Sequence, residues 1–279
     1  MNIEHSKTIL APTDFSDLGM AAMKHANIFA EKLKKKVTLL HVIPDYDLKA
    51  ETLEKLKPIA EANRAATGIE TEYTTSTGTI FEQIGQAADI LNAAFVVMGT
   101  HGIKGMQKIT GSFALKVITK SNKPYIVVQK DPPRSPYQNI IIPITHTPKS
   151  KQALFHILHI AKLFDATCHI YFDFSKDSHL DTNIKNNVAY AENFLTENGI
   201  KNKSIALGQY PGSFNQAFLN YAKNNNADLI TLVTEQNISL VEFLMRPAEQ
   251  YVIANEAAIP VMCIHPDYNA LKFGSVFTQ

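Results

Sequence analysis

Residues 95–118 read FVVMGTHGIKGMQKITGSFALKVI. Four apolar residues, Phe95 to Met98, run straight into Gly99; glycines return at 102 and 105, and a Gly111-Ser112 pair opens a segment with helical spacing. A short apolar run without polar alternation reads as a strand buried on both faces, and a strand feeding a helix through a turn is one step of a parallel α/β crossover. Four of the chain's 12 glycines fall within these 13 positions, 99 to 111. The concentration calls for a physical cause.

Working outward, the same alternation recurs. TILAPT (8–13), VTLLHVI (37–43), IETEYTTS (69–76) and PYIVVQ (124–129) read as further strands. Between them lie helical patterns. Ser16 is placed to cap a helix carrying Leu18, Ala22, Ala26, Phe29 and Leu33 on one face, and others follow at 48–66, 80–91 and 112–120. Strands alternating with helices imply right-handed crossovers and a parallel sheet covered on both faces. After DPPRSP (131–136), which can continue neither helix nor central strand, the order repeats. NIIIPIT (139–145), ATCHIYFD (166–173), SIALGQY (204–210), DLITLV (228–233) and IPVMCIH (259–265) parallel the five strands at a nearly constant offset, with Ser150 preceding the first helix of the second set. The chain thus reads as one α/β unit duplicated, residues 1–132 and 133–267, with a tail at 268–279 that has no counterpart.

Composition narrows the function classes. The 279 residues are 45% hydrophobic and 19% charged, which suits globular domains. Twenty-seven basic residues against 26 acidic ones leave a net charge of +1, so no bulk field points to nucleic acid or an acidic membrane. No apolar run approaches the ~20 residues needed to cross a bilayer, and no signal peptide is visible at the N-terminus. Cys168 and Cys263, the only cysteines, sit in apolar runs and read as buried free thiols. A cytoplasmic protein is expected.

In an open parallel sheet, ligands lie beyond the carboxyl ends of the strands. If the first and fourth strands are neighbours, Asp14 and the turn beginning at Gly99 face each other across that crevice. Glycines at 99 and 102 would let the backbone approach a ligand and adopt positive φ, and Gly111-Ser112 would offer amides and a hydroxyl at a helix N-terminus. This spacing reads either as a phosphate site or as a turn that only reverses the chain. Neither GxxxxGK[ST] nor a first-strand GxGxxG is present. In the second half, Pro143-Ile144-Thr145 replaces Pro12-Thr13-Asp14, and Thr234, Asn237, Arg246 and Pro247 read as the counterparts of Gly99, Gly102, Gly111 and Ser112. Side chains there fill the approach positions, so no nucleotide is expected in the second half. His101, Lys104 and Lys108 flank the proposed path as solvated loop residues. His156 and His159, three apart on a helix, read as exposed polar residues rather than a metal pair.

APTDFSD, LLHVI and GTHG-x8-GS together resemble the universal stress protein family, over most of both halves. The resemblance implies two tandem five-stranded parallel sheets of order 3-2-1-4-5, Rossmann-like, and ATP, with or without Mg²⁺, in members that keep the glycine motif. It would put Asp14 and the Val42 backbone at the adenosine end. Gly99 and Gly102 would line the ribose and phosphate path, and Gly111 and Ser112 would meet the phosphates; Pro12, Thr13, Met98 and Phe113 complete the implied set. The family's usual interval between the last two glycines is nine residues, whereas this chain has eight, Ile103 to Thr110. Association through the last strand is also implied, making PYIVVQ and IPVMCIH facing edges of an intrachain pseudo-dimer that can pair further. The expected role is a nucleotide-binding switch in stress response rather than an enzyme. An interaction scaffold without nucleotide and a slow ATP hydrolase are the alternatives.

Overall fold

The computed structural model describes residues 5–100, 111–121, 123–208, 213–234 and 247–265. Gly102 lies outside the described residues, as do His101, Lys104, Lys108, Asn237, Arg246 and the 268–279 tail.

The first half contributes β1 (Thr8–Pro12), β2 (Lys36–Ile43), β3 (Thr71–Thr77), β4 (Ala93–Gly99) and β5 (Tyr125–Val128), crossed over by α1 (Asp17–Leu33), α2 (Lys49–Thr67), α3 (Ile80–Ile90) and α4 (Gly111–Ile118). The second half contributes β6 (Asn139–Pro143), β7 (Thr167–Phe172), β8 (Lys201–Ala206), β9 (Leu229–Val233) and β10 (Val261–Ile264), with α5 (Ala153–Phe164), α6 (Ser178–Glu197), α7 (Phe214–Asn224) and α8 (Pro247–Ile253). All ten strands join one sheet in the order β3-β2-β1-β4-β5-β10-β9-β6-β7-β8. Each half is a parallel 3-2-1-4-5 arrangement. The two halves meet through β5 and β10, which pair antiparallel with Val261 opposite Val127 and Cys263 opposite Tyr125.

Local chemistry explains the elements that position the crevice. The Ser16 hydroxyl accepts the Gly19 amide and starts α1, and Lys34, in the left-handed region, ends it. Ala22, Ala26 and Phe29 are fully buried beneath α1, so its apolar face seals one side of the sheet. From Ala93 to Met98, β4 is buried throughout, as expected of a central parallel strand covered by helices on both faces.

Two boundaries differ from the sequence reading. A 3₁₀ turn over Pro148–Gln152 precedes α5, so the helix begins later than Ser150 suggests. The eighth strand starts at Lys201 rather than at Ser204, because pairing with β7 from Thr167↔Lys201 onward defines it and its exposed Lys201 and Lys203 leave no apolar signature.

The segment between β5 and β6 is pinned by Tyr137, whose buried ring packs against Phe29 of α1 (4.5 Å between centroids) and Phe164 of α5 (5.1 Å). Its hydroxyl meets His25 Nδ1, and His25 Nε2 lies 3.1 Å from the Lys130 carbonyl. Burial pushes the His25 pKa down to about 4, so the ring is neutral at neutral pH. A carbonyl only accepts, so Nε2 donates and Nδ1 accepts from the tyrosine. The core around Tyr137 is therefore aromatic, with the polar atoms of Tyr137 and His25 paired.

Candidate functional site

The register places β1 beside β4, with Leu10 opposite Val96. Beyond their carboxyl ends lies a crevice of about 160 Å³. The end of β1 supplies Pro12 to its wall and the loop after it Thr13 and Asp14, β2 supplies His41 and Val42, and β4 supplies Met98 and Gly99. Leu40, Ile80 and Ile84 line it from β2 and α3, and Val117 from α4. The interior is mainly apolar, and the one carboxylate, Asp14, is exposed at the rim.

Asp14 is held by the start of α1. Its Oδ1 accepts the Ser16 amide at 3.1 Å and also the Ser16 hydroxyl. That same hydroxyl oxygen accepts from the Gly19 amide at 3.2 Å, so the acid and the helix cap are fixed together. Thr13 is tied in three ways: its amide donates to the Leu40 carbonyl (2.8 Å), its Oγ1 accepts the Phe15 amide (3.1 Å), and its carbonyl accepts from His41 Nδ1 (2.7 Å). Phe15 adopts a left-handed φ of 65° and lays its ring against His41, with centroids 4.6 Å apart.

Gly99 departs from the sequence reading. It is not among the glycines with positive φ, which are Gly68, Gly78 and Gly199 in the described residues. A Cβ at position 99 would stand 2.7 Å from the Leu18 carbonyl oxygen and 2.9 Å from its carbon. The absent side chain is thus demanded by the close passage of the α1 backbone, not by a special backbone conformation. Gly19 faces a similar demand, since a Cβ there would meet Thr13 Oγ1 at 2.6 Å. That glycine was not legible as a site residue.

Pro12, Thr13, Asp14, Val42, Met98 and Gly99 are therefore brought together in one crevice. Gly111, Ser112 and Phe113 open α4, the helix that contributes Val117 to the wall. The side chains of Ser112 and Phe113 lie outside the described residues. The amides of the first turn of such a helix have no intrahelical partners and favour an anion. Sequence reasoning missed Leu40, His41, Ile80, Ile84 and Val117, because apolar positions on strands and helix faces read as ordinary core.

The matching place in the second half is built differently. Gly99 pairs with Val128 and the Thr100 amide bonds the Val128 carbonyl, while Val233 pairs with Ile264 and the Thr234 amide bonds the Ile264 carbonyl, both at 2.9 Å. Val233, not Thr234, is therefore the counterpart of Gly99. Pairing also matches Tyr171 to Leu40, since the amides of Ile144 and Thr13 each donate to those carbonyls at 2.8 Å. Phe214 opens α7 where Ile80 opens α3, and Phe218 follows one turn later, as does Ile84. The Tyr171 ring lies 5.6 Å from Phe214 and 5.5 Å from Phe218, and Tyr171 and Phe218 are each 2% exposed. Aromatic rings thus stand at the positions that the smaller aliphatic Leu40, Ile80 and Ile84 hold in the first half. Asn187 Nδ2 donates to the carbonyls of Thr145 (2.8 Å) and Thr147 (3.2 Å), holding that loop against α6.

Comparison with known proteins agrees with this construction. The model of the universal stress protein family matches residues 5–129. Universal stress protein MJ0531 of Methanocaldococcus jannaschii is 31% identical over 144 residues, a match covering 44% of this chain and 82% of that protein. The chain belongs to the universal stress protein family. Universal stress protein MJ0577 of the same organism is 29% identical over 154 residues, covering 44% of this chain and 95% of that protein. The crystal structure of a universal stress protein from Archaeoglobus fulgidus DSM 4304 superposes with a TM-score of 0.72 at 18% identity, covering 95% of this chain and 98% of that one. The likeness in fold to that universal stress protein therefore extends across both halves. Among the described residues, no helix is long and apolar enough to cross a membrane, and no group of three or more His, Cys, Asp or Glu is placed to hold a metal ion.

Proposed function

We propose that the first half binds one adenine nucleotide, ATP with or without Mg²⁺, and that the second half binds none. The observation that carries this reading is the contrast between matching positions: a crevice between β1 and β4 with aliphatic walls, Asp14 and Gly99, and in the second half Tyr171, Phe214 and Phe218 with Thr145 and Val233. A flat base suits the aliphatic walls made by Leu40, Val42, Ile84 and Met98, and the Asp14 carboxylate suits hydroxyl or amino groups at the nucleoside end. The first-turn amides of α4, from Gly111, Ser112 and Phe113 onward, suit phosphate.

The function that follows is a binding switch in stress response rather than turnover: nucleotide orders the surface around the crevice, and partners read the result. His41, the imidazole on the crevice wall, has its Nδ1 committed to the Thr13 carbonyl, which supports a structural role for it over a catalytic one. The two halves act as an intrachain pseudo-dimer joined at β5 and β10, and two chains can pair further. Two buried free cysteines suit a reducing cytoplasm, where ATP is abundant.

Calorimetric titration of the purified protein with ATP and Mg²⁺ tests this. Asp14→Ala is expected to weaken binding about tenfold or more, the effect of losing about 1.4 kcal/mol. Unchanged affinity in that variant, or multiple-turnover phosphate release by the parent protein, would overturn the reading.

A further inference from the structure

Across the β5–β10 junction, the residue that follows each of the two strands reaches a helix end in the opposite half. Gln129, the residue after β5, donates Nε2 to the carbonyls of Ile253 (3.4 Å) and Asn255 (3.1 Å) at the end of α8. His265, the residue after β10, places Nε2 2.7 Å from the carbonyl of Ile118, the last residue of α4. Because a carbonyl only accepts, Nε2 carries the proton, and the bare Nδ1 accepts from the Thr234 hydroxyl at 3.1 Å. His265 is 5% exposed and Thr234 fully buried, so water does not compete for these bonds. Burial is the largest influence on the ring and holds its pKa below the ordinary histidine value, in keeping with the neutral tautomer that this geometry requires.

The two contacts are equivalent in position and unequal in consequence. The helix that Gln129 holds belongs to the half that has Val233 and Thr145 in place of Gly99 and Asp14. The helix that His265 holds is eight residues long, begins at Gly111 and lines the open crevice through Val117. The last carbonyls of a helix lack intrahelical donors, and a side chain that satisfies one anchors that end. Two turns of helix cannot absorb a displacement within themselves, so an anchor at Ile118 also fixes where the first turn stands.

We propose that His265 is a positioning residue for the front crevice: the second half, through the bond from His265 Nε2 to the Ile118 carbonyl, sets the position of α4 and so of the amides at its start. The inference rests on reading the front crevice as an adenine-nucleotide site.

The test is titration with ATP and Mg²⁺ of the full chain and four variants, each first checked for a cooperative unfolding transition. His265→Ala should weaken ATP binding about fivefold to tenfold, a modest coupling between sites. His265→Gln should stay within about twofold of the parent, since Gln129 reaches the equivalent carbonyl, that of Ile253, with its amide. Gln129→Ala, which breaks the twin contact on α8, should likewise leave ATP affinity within about twofold, whereas a general loosening of the junction would weaken both. Thr234→Val removes the hydroxyl that orients the ring, and should weaken binding in the same direction if His265→Ala does not fold. Undiminished affinity in His265→Ala, or equal losses in Gln129→Ala, would overturn the proposal while leaving the nucleotide site intact. A parent protein that binds no ATP would overturn the site itself and this inference with it.

Discussion

At position 99 the chain has no side chain because the Leu18 carbonyl occupies the space where a Cβ would be. The atoms in the way are backbone, which cannot swing aside, so Gly99→Ala should cost about 1–3 kcal/mol of stability. Urea unfolding without nucleotide measures this, and an unchanged midpoint would show that Gly99 serves only a ligand. Gly99 was legible in sequence as a crevice residue, but this cause was not: it depends on a contact with α1, which no local spacing encodes. Asp14 was legible because a lone acid following a buried strand has few purely structural uses. His41 was not, since within LLHVI it reads as a strand residue, and only the fold brings its Nδ1 to the Thr13 carbonyl.

At the scale of elements, the alternation of apolar runs and helical faces placed nearly every strand, because burial on both faces leaves a strong signature. Register was harder. The repeat offset drifts along the chain as loop lengths change, and only the hydrogen-bond ladder shows that Val233 rather than Thr234 stands opposite Ile264. The aromatic cluster at the matching place in the second half was hidden for a related reason, since Tyr171 is distant in sequence from Phe214 and Phe218 and meets them only when α7 lies on β7. Truncating Phe218 to Ala should cost about 3–5 kcal/mol, as for other large core rings. It should not create a nucleotide site, because Val233 and Thr145 still stand where Gly99 and Asp14 stand in the first half. Chemical denaturation and an ATP titration of Phe218→Ala check both parts; a second equivalent of bound ATP would show that the aromatic filling alone keeps nucleotide out.

Across the whole molecule, one ten-stranded sheet joins two equivalent halves that have diverged at their ligand-facing ends. The architecture was legible from the repeat and the family resemblance, and the facing edges PYIVVQ and IPVMCIH do pair, as β5 and β10. What the sequence concealed is the mutual support at that seam: Tyr137 wedged between α1 and α5, and Gln129 and His265 reaching to helices of the opposite half. Retaining a half that lacks the counterparts of Asp14 and Gly99 makes physical sense if it completes the half that has them. The most direct check is the stoichiometry of ATP binding, by calorimetry on the purified full chain with Mg²⁺ present. One ATP per chain is expected in the parent protein, with affinity weakened about tenfold or more in Asp14→Ala; two ATP per chain, or undiminished affinity after the loss of Asp14, would contradict this.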